Sequence, residues 1–112
     1  MNLNIIKIAE ETKNILASPD QHCVRFNACD VEGHPVDIRD PAACKYCFYG
    51  ASLLAQYRLG LFSSAYYDAS YEASKRLGCS DLISLVNDNP AQGYPVIMQI
   101  LDEIISFEKS QA

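Results

Sequence analysis

The chain has 112 residues, 49% of them apolar and 21% charged, with a net charge of -5 and a pI of about 4.8. That length and apolar content fit one folded domain with a modest core and exclude a disordered chain. There is no run of basic residues and no Lys/Arg stripe. The charge balance therefore disfavours direct binding to a nucleic-acid backbone and suits the basic surface of a protein partner.

At the start, Ile5, Ile8, Ala9, Thr12, Ile15 and Leu16 recur at spacings of three and four between charged residues. This predicts an amphipathic helix over residues 4–17, stopped by Ser18-Pro19-Asp20. Next, Val24, Phe26 and Ala28 alternate with Arg25 and Asn27, and Val36 and Ile38 flank Asp37. Around the Asp30-x-x-Gly33 turn these runs predict a β-hairpin over about 22–38, which must lie on the helices to be stable.

Asp40 is a natural N-cap and Pro41 a natural first residue, so a second helix is expected over 41–58, ending near Gly60. A third is expected over 62–77, with Lys75 and Arg76 in its last turn and Gly78 as its cap. Ala65, Ala69, Ala73 and Leu77 form its expected packing face. Ser80 is expected to cap a short helix reaching residue 86. Asn87 and Asp88 are expected to bond backbone groups that shape the following turn. The last helix follows Pro95, with Val96, Ile97, Ile100, Leu101, Ile104 and Ile105 inward. The expected fold is mainly α (α+β), a single helical domain over 1–112. It has four to five helices and a small hairpin between the first two.

The five cysteines are Cys23, Cys29, Cys44, Cys47 and Cys79. Their odd number and irregular spacing, with no leader or membrane span in view, predict reduced thiols in a cytoplasmic protein. On a helix starting at Pro41, Cys44 and Cys47 share a face with Phe48, Ala51, Leu54 and Ala55. That favours two core cysteines beside Gly50, where a neighbouring helix can approach. A nucleophile at Cys44 or Cys47 would need His22 or His34 as its base. A zinc site would have to add ligands from His22, Cys23, Cys29 and His34, an irregular set. A Cys44–Cys47 disulfide within one helical turn would constrain little. No metal or other cofactor is expected.

The carboxylates Asp30, Glu32, Asp37 and Asp40 cluster around the hairpin. They read either as a solvated turn or as an acidic prong for a basic partner. Seven tyrosines and no tryptophan are present, with Tyr66, Tyr67 and Tyr71 crowded on the third helix. Such a face is either a core edge or a contact surface, including one for a homodimer.

The stretch containing Ala28, Asp30, Gly33 and Val36, then Tyr46, Cys47, Gly50 and Ala51, then Asn87 and Asp88, then Val96 and Asp102, resembles a family of short bacterial and phage proteins. That family is classed as a domain of unknown function. It shows an Ala-x-Asp-x-x-Gly-x-x-Val hairpin, an aromatic-Cys-x-x-Gly-Ala helix and an Asn-Asp turn before a final amphipathic helix. Where the family tends to have tryptophans, this chain has His22 or Cys23 and Tyr46. The resemblance implies no activity. It implies a bacterial or phage cytoplasm.

The expected function is that of a small acidic, non-enzymatic protein-binding protein. In a phage or mobile-element setting it would be an inhibitor of a host defence complex, of anti-CRISPR type. The expected contact residues are Asp30, Glu32, Asp37, Tyr67 and Tyr71. The alternative is the cysteine enzyme using Cys44 or Cys47 with His22 or His34.

Overall fold

The structure, a computed structural model, describes residues 1–79, 82–89 and 93–111. In chain order it contains helix α1 (Leu3–Ile15), a turn of 3-10 helix (Pro19–Gln21), strands β1 (Ala28–Cys29) and β2 (Lys45–Tyr46), and helices α2 (Phe48–Leu59), α3 (Ser64–Arg76), α4 (Ile83–Asp88) and α5 (Gly93–Ser110). The fold is mainly α with a small antiparallel sheet between the first two long helices, as the residue pattern predicts.

α1 begins where Asn2 Oδ1 accepts the Ile5 N–H at 3.2 Å. Its apolar stripe, Ile5, Ile8, Ala9, Ile15 and Leu16, is buried against α2 and α5. α5 answers with Ile97, Ile100, Leu101 and Ile104, all nearly inaccessible to solvent. Each such side chain contributes about 1.5–3 kcal/mol on burial, so these two faces form the main support of the fold. Lys13 and Asp102 pair across the edge of the α1–α5 contact. α5 starts at Gly93, so Pro95 lies in its first turn rather than before it. Proline is tolerated there because that N–H has no helical acceptor.

α2 is the inner helix. Phe48, Gly50, Ala51, Ser52, Leu54, Ala55 and Gln56 are all buried, and Gly60 closes it in the left-handed region at φ 64°. α3 packs on α5 and α1 through Tyr66, Ser70, Ala73 and Ser74. The expected alanine face is therefore rotated: Ala65 is exposed, Leu77 is 41% exposed, and Tyr66 is fully buried. The cause lies across the interface. The hydroxyls of Ser52 and Tyr66 hydrogen-bond at 2.7 Å, and Gln56 Nε2 donates to the Tyr67 hydroxyl at 2.8 Å. A buried polar row on α2 thus selects tyrosine hydroxyls as partners and draws that side of α3 inward.

The region before α2 departs most from expectation. The chain does turn back at Asp30–Gly33, and Cys29 faces Pro35 in one antiparallel bridge. The paired ladder, however, joins Ala28 to Tyr46 and Cys29 to Lys45. Residues 41–47 are thus not helical, and α2 starts seven residues later than Asp40-Pro41 suggests. Asp40 does bond the Ala42 N–H at 2.8 Å, but this closes a local turn. The following Cys44 N–H donates to the Cys29 carbonyl at 3.0 Å, committing the chain to the sheet. Val24 and Phe26, expected on a buried strand face, are each 42% exposed, because residues 24–27 bend outward through Arg25 at φ 73°. The predicted cap Ser80 lies outside the described residues; α4 follows Leu82 and runs to Asp88.

Candidate functional site

Three segments distant in sequence converge at the start of α2. Cys47 is its N-cap, with Sγ accepting the Gly50 N–H at 3.3 Å. Asn27 lies across from it, its carbonyl accepting the Cys47 N–H at 3.3 Å and its Oδ1 receiving the thiol at 3.6 Å. The contact is close because residue 50 is glycine. A Cβ there would stand 1.8 Å from the Asn27 carbonyl oxygen. The small residue therefore admits a loop backbone, not the neighbouring helix expected from the sequence.

The third segment is the end of α4. Asn87 is almost fully buried and bonds in four directions. Its Oδ1 accepts the Phe48 N–H at 3.0 Å and lies 2.7 Å from His22 Nε2. Its Nδ2 donates to the Cys23 carbonyl at 3.1 Å and to Asp88 Oδ1 at 3.0 Å. Asp88 Oδ1 in turn accepts the Arg25 N–H at 3.1 Å. Asn87 and Asp88 do bond backbone groups, on the remote segments at 23, 25 and 48; residues 90–92 of the turn they are expected to shape lie outside the described residues. Beside this knot is an open cavity of about 100 Å³, walled by Phe26, Tyr49, Cys47, Ser84 and Asp88. Its size suits a few water molecules or the tip of one side chain, far below the roughly 300–1,000 Å³ of small-molecule sites.

The thiols separate into distinct environments. Cys44, expected inside, is exposed, because Lys45–Tyr46 is extended and residues three apart no longer share a face. Cys47 is buried as expected, and burial pushes its thiol up, opposed by the Gly50 and Tyr49 N–H groups. Cys23, whose Sγ donates to the Phe26 carbonyl at 3.3 Å, is pushed up further, first by burial and then by the neighbouring Cys29 thiol. Neither candidate imidazole bonds a thiol among the described residues. His22 is held by Asn87, and His34 stands 3.7 Å from Asp30 and 3.8 Å from Glu32. Also among the described residues, no three His, Cys, Asp or Glu side chains are grouped to hold a metal ion.

The expected contact residues fall in two places. At the turn, Asp30 Oδ1 accepts the N–H groups of Glu32 and His34, each at 2.9 Å. The His34 N–H, followed by that of Glu32, holds the Asp30 carboxyl below the usual carboxylate range, against a smaller opposing effect of burial. Asp37 similarly accepts the Arg39 N–H at 2.9 Å. Both aspartates build the loop, while Glu32 is presented by it. On α3, Tyr67 is half-buried and stacks on Tyr49, with ring centroids 6.1 Å apart. Tyr71 is 54% exposed beneath the Lys75 ammonium.

No described helix is long and apolar enough to cross a membrane. No family model, curated protein or solved structure matches the chain. Sequence reasoning missed the hub role of Asn87 and the Ser52/Gln56 row. The available signal was polar residues at buried helical spacing, at 52 and 56.

Proposed function

We propose that this is an acidic protein-binding protein that presents residues 30–34 as a preorganised contact. The observation that carries the reading is the turn itself. Val31 is 77% exposed, and it stands on a loop fixed by both Asp30 side-chain bonds, an Asp30 N–H to His34 carbonyl bond at 2.9 Å and a Gly33 N–H to Asp30 carbonyl bond at 3.0 Å. An apolar tip beside an exposed carboxylate, already ordered before contact, loses little entropy on binding. Glu32 and Asp37 supply charge that favours a basic partner, and Tyr67 with Tyr71 offers a second, aromatic surface, including one for self-association. In a phage or mobile-element setting, the net charge of -5 suits occupation of a basic groove on a host defence complex.

The test is affinity capture from a bacterial host extract, comparing wild type with a Val31→Lys, Glu32→Lys variant whose melting curve is unchanged. A protein retained by the wild type and lost from the variant supports the reading. An identical retained set, or nothing retained by either, overturns it.

A second reading, thiol chemistry at Cys47, is favoured by the N-cap position of that sulfur, where helix N–H groups stabilise an anion. Burial acts in the opposite direction.

A further inference from the structure

Helices α1, α3 and α5 leave an open trough of about 280 Å³ between them. Its floor is apolar: Ile5 and Ile104 are buried, Ala69 is half-buried, and Phe107 is 39% exposed. Its rim is acidic, carrying Asp68, Glu72 and Glu108. Among the described residues, neither Asp68 nor Glu108 has a cationic side chain within 4.0 Å, and Glu72 meets Lys75 only at 4.0 Å. The one cation in the lining, Arg76, is already matched. Its Nε donates to Glu103 at 3.1 Å, and its guanidinium lies 3.9 Å from the Phe107 ring centre.

We infer that this trough docks a basic amphipathic helix of a partner protein, seating an apolar side chain between Ala69, Ile104 and Phe107 and placing Lys or Arg against Asp68 and Glu108. The inference rests on the protein-binding reading and adds the chemistry of the partner. Three alternatives fit less well. At about 280 Å³ the trough is at the lower edge of the small-molecule range, roughly 300–1,000 Å³, and it lies open to solvent between the helices rather than enclosing a ligand. A second copy would bring another acidic chain to an acidic rim. Nucleic acid would meet the same repulsion through its phosphates. A helix with apolar residues three and four apart, flanked by basic ones, meets both the floor and the rim.

The test is selection from a random library of displayed 16-residue peptides on the full chain. Enriched peptides are then measured against Ala69→Arg, which fills the floor, and against Asp68→Lys with Glu108→Lys, which leaves the floor intact should the first variant fail to fold. The expected winners pair apolar with basic residues at helical spacing. They should lose at least about tenfold in affinity on the charge-reversed rim, with the loss shrinking as salt rises. Winners that are acidic or uncharged, or that bind both trough variants as tightly as wild type, overturn the inference. Winners that ignore the trough but are lost on Val31→Lys, Glu32→Lys overturn it while leaving the protein-binding reading standing. The absence of any winner on either surface overturns both.

Discussion

Replacing Gly50 by alanine sets two opposing effects against each other. Alanine is the better helix former, and at an unhindered helical position the change would stabilise by up to about 1 kcal/mol. At residue 50 the new Cβ would stand 1.8 Å from the Asn27 carbonyl oxygen, 2.6 Å from its carbon and 3.0 Å from its Cα. Contact between such atoms begins at ~3.5 Å, so backbone, not a flexible side-chain end, must withdraw by about 1.7 Å. Withdrawal stretches the Cys47 N–H bond to Asn27, worth about 1 kcal/mol, and disturbs β1 immediately beyond. Overpacking of this kind costs about 1–3 kcal/mol. The net expectation is a loss of about 1–3 kcal/mol, or roughly 5–15 °C in Tm for a domain of this size. Thermal and urea unfolding followed by circular dichroism measures it. Gly60→Ala, where the added Cβ meets nothing within 4 Å, is the control and should cost only the left-handed backbone penalty of about 1 kcal/mol. A Gly50→Ala protein as stable as wild type would refute the close approach.

Asn87→Ala strands the Phe48 N–H and the Cys23 carbonyl together, so the urea midpoint should fall by the equivalent of about 2–4 kcal/mol at constant m. Asn87→Asp keeps the acceptor but sets a buried carboxylate oxygen against the Asp88 carboxylate and the Cys23 carbonyl, so at neutral pH it should lose at least as much as Ala. Burial pushes the Tyr66 phenol up to about 12, so it should be the last tyrosine to ionise in an ultraviolet pH titration. Because the folded chain holds that proton more tightly, the associated stability is fully present below pH 10 and is lost as pH rises towards 12. The loss amounts to about 2–3 kcal/mol, and Tyr66→Phe should remove that slope. In the folded protein at neutral pH, iodoacetamide with peptide mapping should modify exposed Cys44 well before Cys47. Labelling of Cys47 at the faster rate would instead support the thiol reading.

The helices that announce themselves do so through a continuous apolar stripe, as in α1 and α5, where the periodicity and the buried face coincide. Residues 41–47 misled because their local signals are real. Asp40 does cap a turn, yet the N–H that decides the outcome, that of Cys44, bonds Cys29, fifteen residues away. Tertiary pairing outweighed a local capping preference. The thiol environments followed from that one choice, since an extended chain separates Cys44 from Cys47 where a helix would align them. The α3 face failed for a related reason. Alanine spacing marks a helix side but cannot reveal that Ser52 and Gln56 wait opposite for tyrosine hydroxyls. Asn87 was visible as a polar residue near a chain break. Its bonding partners at 22, 23 and 48 are fixed only by the folded topology.

The Asn87 carboxamide makes α4, a helix of only six residues, a thermodynamic part of the helix it abuts. When α4 swings away, the leading amide of α2 loses its acceptor and the strand-like segment at residue 23 loses its donor in the same event. Opening therefore travels as one cooperative unit across segments more than sixty residues apart in the chain, rather than as separate fraying of three ends.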